Sequence, residues 1–314
     1  MMLADHGAEV IRVDRPGAEP SQGDPLLRSR TSITLDLKSP EGVAELRALC
    51  KSADGLIEGF RPGVMERLSL GPDSLLGDNP RLVYGRMTGW GQEGPLAQKA
   101  GHDINFIALS GTLGALGRAG DKPTPPINLV GDFGGGGMLL AYGMVSALLA
   151  VKMGGSGQVV DCAMADGSAL LMAMMWGFRA QGRWTDERGT NVIDTGAPFY
   201  DTYETADGLF VAVGAIEPQF YAELRRVLGI ANDPKFDAQF DPAQWPAQKA
   251  ELSRLFKAKT RAEWGALFDH AEACVTPVLS MTEALEHPHN LARQTFLTID
   301  GIPQPAPAPR FTPL

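Results

Sequence analysis

The stretch ITLDLKSPEGVAELRALCKSADGLIEGF, Ile33 to Phe60, decides the fold class. It opens on an alternating run, Ile33-Thr-Leu-Asp-Leu37, which fits a half-buried strand. Ser39-Pro40-Glu41 follows, a capping residue with proline at the first helical position, and Val43, Leu46 and Leu49 then recur on one helical face. Asp54-Gly-Leu-Ile-Glu-Gly-Phe60 is strand-like again. Strand, helix, strand is the pattern of parallel strands joined by a crossover, because a parallel neighbour cannot be reached by a tight turn. The pattern repeats outward on both sides. Ala8 to Asp14 is strand-like and stops at Arg15-Pro16-Gly17, while a short helix through Met65 and Leu68 leads to a further strand, Arg81 to Met87. The expectation is an α/β chain built on a parallel sheet.

Further along, a helix is expected over 138–152, a strand from Val159 to Asp161 and an apolar helix from about 164 to 180. Near Arg188 the character changes. Phe199 to Glu204 and Leu209 to Val213 flank Asp207-Gly208, a hairpin signal, and Pro218 opens a helix. Two more helical stretches and the strand-like Cys274 to Leu279 complete a smaller α+β region. The tail Pro303 to Pro309 alternates with proline and can only be extended.

Composition narrows the function. A net charge of −9 on 314 residues argues against a nucleic-acid partner, whose phosphates select a basic surface. Cys50, Cys162 and Cys274 are odd in number and far apart, each in an apolar context, so buried structural thiols in a reducing, cytoplasmic setting are expected. The longest apolar run, Met138 to Val151, falls short of a bilayer span and reads as a helix buried on most sides, so no membrane partner is expected.

Arg15, Lys38 and Arg61 each follow the last residue of an expected parallel strand. In open α/β sheets the ligand crevice lies at those carboxyl ends, so the three cations fit a phosphorylated ligand; on position alone, solvated loop charges fit equally. Gly89-Trp-Gly91-Gln-Glu-Gly94 matches GxGxxG, but Pro95 follows and no helix opens there to receive a pyrophosphate, which leaves a plain turn. His287-Pro-His289 lacks the further ligands a metal site needs. His102, in Ala100-Gly-His-Asp-Ile-Asn-Phe106, is a candidate acid or base in a polar loop. Asp132, in Gly131-Asp-Phe-Gly-Gly-Gly-Gly137, reads as a helix N-cap. The glycines beside it allow close packing, and their amides are able to hold a negative oxygen. Glu217 precedes a helix-starting proline.

Taken together, Gly101-His-Asp-Ile-Asn-Phe106, Gly131-Asp-Phe-Gly134, Gly196-Ala-Pro-Phe-Tyr200, Gly214-Ala-Ile-Glu-Pro-Gln-Phe-Tyr221 and Ala273-Cys-Val-Thr-Pro-Val278 resemble the alpha-methylacyl-CoA racemases of the family III (CaiB/BaiF-like) CoA-transferase superfamily. The resemblance covers essentially the whole chain. It implies an interlocked homodimer, with a Rossmann-like large domain over 1–165, a linker over 166–198, a small α+β domain over 199–286 and a segment over 287–314 returning to the large domain. It implies that His102 and Asp132 are the two acid/base residues and that Glu217 accompanies the histidine. Arg15, Leu35, Asp36, Leu37, Lys38 and Arg61, with Gly101, His102, Asp103, Ile104, Asn105 and Phe106, are implied as coenzyme A contacts. Met172, Met174 and Met175 are implied as a pliable surface for the acyl chain, or equally as adaptable core packing.

The reaction implied is inversion at the carbon beside the thioester carbonyl, by proton removal on one face and return on the other. A neutral histidine and a protonated, partly buried aspartate suit it. No cofactor is implied, coenzyme A entering as part of the substrate. The rival readings are a CoA-transferase with Asp132 as nucleophile and an inactive acyl-CoA-binding protein. Phe106 stands where the family usually has tyrosine, and the chain as given begins inside the family's first helix, without the family's first strand and its Gly-Pro-rich loop.

Overall fold

Ser39 caps its helix as expected: its Oγ accepts from the Gly42 amide at 3.0 Å, and the helix Pro40–Ser52 buries Leu46 and Cys50. In the computed structural model, which describes residues 1–19 and 23–312, this helix lies in the first of two compact units. That unit is assembled from Met1–Ser110, Ile127–Leu171 and Thr282–Leu314, the last two residues of the expected C-terminal segment lying outside the described residues.

Five parallel strands form its framework. Ile11–Asp14 (β1) pairs with Thr31–Thr34 (β2), and Gly55–Glu58 (β3) pairs with Val83–Thr88 (β4), which pairs with Gln158–Ala163 (β5). Hydrogen bonding therefore divides the strands into a pair and a triple, where the sequence pattern suggested one sheet. Their apolar residues still share a core: Leu35, Leu46, Cys50, Met65, Leu70, Leu75, Leu82 and Tyr84 cluster, with Val13, Ile33 and Leu56 packed against them.

The long apolar helix differs from its expectation in two ways. A π-helix, Leu129–Met138, precedes the α-helix Leu139–Lys152 and runs into it, and together they are long and apolar enough to cross a membrane by length and composition. The helix is also not buried on most sides. Leu140, Met144, Ala147 and Val151 meet Val83 and Cys162 in a second core cluster, whereas Tyr142, Val145, Leu149 and Met153 are each more than half exposed. The residues are apolar all round, so their pattern does not mark which stripe packs. Burial of the one stripe stabilises by about 1.5–3 kcal/mol for each large side chain.

Gly135 and Gly167 let this helix cross the helix Met164–Leu171 with backbones touching. A Cβ built on Gly167 would lie 1.9 Å from the Gly135 carbonyl oxygen. The apolar stretch 164–180 is not one helix: it breaks at Met172, and Ala173–Ala180 belongs to the second unit.

The second unit comprises Gly111–Pro126 and Met172–Met281. Tyr200–Glu204 (β6), Phe210–Gly214 (β7) and Val275–Pro277 (β8) form its antiparallel sheet. Gly208 turns the β6–β7 hairpin with φ +76°, a value that glycine adopts without strain. Phe199, Tyr203, Tyr221, Phe236, Trp245, Phe256 and Trp264 fill the core. Thr260 and Glu263 cap the helix Arg261–Phe268 reciprocally. Gly111–Pro126, expected within the large domain, belongs here instead. Arg118 reaches Asp201 and Thr202, both at 2.8 Å, and Arg188 donates to the carbonyls of Gly114 and Asp121. Single arginines distant in sequence make these anchors, and no periodicity announces them.

Cys50 and Cys162 are buried, but Cys274 is exposed, correcting its expected burial. It stands just before β8 with φ +50°, on the same side as the exposed Thr276, as strand alternation places residues two apart. The chain returns to the first unit through the hairpin Phe296–Ile299 (β9) and Ile302–Pro305 (β10), so the proline-rich tail is extended and partly paired. There Arg28 binds Asp5 at 2.6 Å, Gln304 at 2.9 Å and the Pro305 carbonyl at 2.6 Å.

Candidate active site

His102 ends the loop that follows β4, and its amide donates to Asn105 Oδ1 at 3.1 Å across the first turn of the helix Asp103–Leu109. Its side chain is exposed. Asp132 lies in the first turn of the π-helix, half-buried, with Oδ2 accepting from Asn128 Nδ2 at 2.6 Å. Asp132 does not cap that helix; it is capped. Asp103 Oδ2 accepts from the Asp132 amide at 2.8 Å. One covalent neighbour and one hydrogen bond thus join the two acid/base candidates. The glycine run Gly134–Gly137 lies within the π-helix and not ahead of it.

Glu217 is exposed at the N-cap of the helix Pro218–Val227, in the second unit. Its charge and that of Glu272 add to the burial that raises the Cys274 thiol pKa. Met172, Met174 and Met175 also lie in the second unit, on a segment with no buried residue. Met174 is 53% exposed and neighbouring Trp176 58%, while Met172 and Met175 are half-buried. A depression of about 360 Å³ on the same unit is lined by Thr195, Tyr200, Asp201, Thr202 and Cys274 among others, and holds neither acid/base candidate.

Arg15, Lys38 and Arg61 are all exposed beyond carboxyl ends of parallel strands. Only Arg15 follows its strand directly. β2 ends at Thr34, because the Asp36 carbonyl is taken by Ser39 and its carboxylate accepts from the Lys38 amide at 3.0 Å, closing a turn. β3 ends at Glu58, whose Oε2 accepts from the Phe60 amide at 2.7 Å and bends the chain toward Arg61. Leu35 is buried and Leu37 half-buried in the core, while Asp36 between them is exposed. Phe106 is buried edge-on against Trp90 at 4.8 Å, forming the floor of its loop, while Ile104 and Asn105 are exposed.

Sequence reasoning missed a charged row beneath these loops. Glu58, Arg86 and Asp161 are register partners on β3, β4 and β5. Arg86 Nε donates to Glu58 at 3.1 Å and Nη2 to Glu66 at 2.8 Å. Burial raises the Glu58 carboxyl pKa even against the Phe60 amide and Arg86, and burial likewise raises that of Asp161. Burial opposes the charge on Arg86, but Glu66 and Glu58 hold it above its ordinary value. The row braces the strand ends from which the Arg61 loop leaves. A charged residue within each of the three strand patterns, Glu58, Arg86 and Asp161, was the available signal. Among the described residues, no group of three or more His, Cys, Asp or Glu side chains is placed to hold a metal ion.

The sequence pattern of CoA-transferase family III matches residues 1–313. The chain belongs to that family. It is 51% identical to the mouse alpha-methylacyl-CoA racemase over 98% of this chain and 81% of the relative. It is 48% identical to the human protein of the same name, over 100% of this chain and 82% of that one. The crystal structure of a CaiB/BaiF family protein from Brucella suis superposes with a TM-score of 0.81 at 25% identity, covering 99% of this family member and 87% of the other chain.

Proposed function

We propose that this family III member is a racemase of 2-methylacyl-CoA thioesters. The observation that carries the reading is the hydrogen bond from the Asp132 amide to Asp103, the residue next to His102, which ties the two candidate acid/base positions together through the backbone. The names of the mouse and human relatives support it. One group removes the α-proton, and the C–H electron pair delocalises onto the thioester oxygen as an enolate. The other group returns a proton on the opposite face, and the two exchange protonation states. Fixed donors to an enolate oxygen contribute about 3–4 kcal/mol each in comparable sites. Arg15, Lys38 and Arg61 are assigned to the coenzyme A phosphates.

The test is deuterium wash-in. In deuterium oxide, either enantiomer of a 2-methylacyl-CoA is expected to epimerise and gain deuterium at the α-carbon. The family's name supports one other reading, a transferase in which the accessible Asp132 carboxylate attacks the thioester carbonyl, expels the coenzyme A thiolate and forms a mixed anhydride. Absence of α-exchange, dependence on an acceptor acid and an Asp132 adduct trapped by hydroxylamine would establish that reading in place of ours.

The exposed apolar stripe of the helix Leu129–Lys152 supports a homodimer, since Tyr142, Val145, Leu149 and Met153 form a longer unpartnered face than lone chains usually present to water. Sedimentation at micromolar concentration is expected to give twice the chain mass, and Val145→Glu to shift it toward the single chain. An active monomeric wild type would remove the dimer from the proposal.

A further inference from the structure

We infer that Asp103 is a positioning residue that sets the separation of the two acid/base groups; this rests on the reading under Proposed function. Asp103 is 3% exposed, one of the few buried carboxylates of the first unit. Its Oδ2 holds the Asp132 amide at 2.8 Å. Oδ1 is buried with no hydrogen-bond partner among the described residues. Burying a carboxylate with one oxygen unmatched is costly. The Asp132 amide is the one hydrogen-bond partner its carboxylate has among the described residues, and an asparagine carbonyl is able to accept from the same amide.

The geometry around the bond is equally specific. The first bond within the π-helix runs from the Phe133 amide to the Asn128 carbonyl at 3.2 Å, so the Asp132 amide falls among the first-turn donors that lack a partner in their own helix. Asp103 supplies the acceptor from another helix. Gly131 leaves the room: a Cβ there would stand 2.6 Å from Asp103 Oδ2 and 2.9 Å from its Cγ. Any side chain at 131 therefore drives the carboxylate off the Asp132 amide. Since His102 is bonded to Asp103, the hydrogen bond fixes how far the histidine stands from Asp132. Transfer of a proton across one carbon needs that distance held closely, and a misplacement of about 1 Å costs on the order of 100-fold in rate.

The experiment compares Asp103→Ala, Asp103→Asn and Gly131→Ala in deuterium wash-in from each enantiomer of a 2-methylacyl-CoA, with exchange of the Asp132 amide followed by mass spectrometry. Asp103→Ala and Gly131→Ala are expected to lower kcat about 10- to 100-fold from both enantiomers alike, with KM within about 3-fold. Both are expected to speed exchange of the Asp132 amide. Asp103→Asn keeps an acceptor and is expected to recover most of kcat and of the protection. Should Asp103→Ala fail to fold, Gly131→Ala makes the same comparison with the carboxylate still present. Wild-type kcat in a variant whose Asp132 amide has lost protection would overturn the inference, and so would an Asp103→Asn as slow as Asp103→Ala with that amide still protected. A wild type that takes up no deuterium refutes the racemase reading instead, and amide protection then still decides whether Asp103 holds Asp132.

Discussion

Replacing His102 by Ala is expected to suppress deuterium wash-in far more from one enantiomer of a 2-methylacyl-CoA than from the other, and replacing Asp132 by Ala to do the reverse. Each base faces one side of the α-carbon, so each enantiomer presents its proton to a different group. Loss of a positioned acid or base costs about 10²–10⁴-fold in the step it serves. Overall racemisation falls by that factor in either variant, since a full inversion uses both groups, and the double variant falls little further than the worse single one because they act as a unit. Proton NMR of the α-position, run separately from each pure enantiomer, measures the split. The outcome against the two-base arrangement is an equal loss from both enantiomers in both variants. That symmetric loss is what displacement of Asp103 should produce, so the two sets of variants check one another.

The largest structural effect is expected at Gly167. A Cβ there meets the Gly135 oxygen at 1.9 Å, its carbonyl carbon at 2.6 Å and its Cα at 2.8 Å; one on Gly135 would meet the Ser168 amide nitrogen at 2.6 Å. These obstacles are backbone, with no flexible side chain to turn aside. Gly167→Ala must push the helix Met164–Leu171 off the π-helix that carries Asp132, opening a packed crossing along its length. Overpacking of this kind costs about 1–3 kcal/mol, and more where backbone must move. The control is Gly177→Ala in the helix Ala173–Ala180, where nothing lies within 4 Å of the new methyl. There the gain in helix propensity is expected to stabilise by about 0.5–1 kcal/mol. Urea denaturation of the two variants should move the midpoint in opposite directions. Equal midpoints would mean that the two helices do not touch in solution.

What the sequence disclosed, and what it hid, follows from the range of each signal. The Ser39-Pro40 cap and the Asp207-Gly208 turn act within three or four residues and were readable directly. The parallel character of β1 to β5 followed from spacing. The π-helix Leu129–Met138 was not readable, because glycine and apolar residues suit an α-helix equally. The break at Met172 was hidden too, since a one-residue interruption leaves the apolar pattern intact. His102 and Asp132 stood out only through resemblance to a family; as isolated residues each had an ordinary structural reading. Glu58, Arg86 and Asp161 become a row only once strand register is known. Asp103 read as one more residue of a ligand loop, because the burial and the 2.8 Å bond that give it another task depend on a partner 29 positions away.

The first unit is written in three instalments, 1–110, 127–171 and 282–314, and the last of them closes on Arg28 through Gln304 and Pro305. During synthesis, β1 to β5 leave the ribosome well before that closing hairpin exists. Roughly a hundred residues, 172 to 281, must be translated in between, a wait on the order of ten seconds at about 5–20 residues per second. Over that interval the apolar helix Leu129–Lys152 is already made while the hairpin β9–β10 is missing. The nascent chain therefore passes through a half-finished, sticky stage that a full-length chain diluted from urea never visits. Translation speed and chaperone supply, which leave the sequence untouched, become determinants of how much of this enzyme a cell obtains.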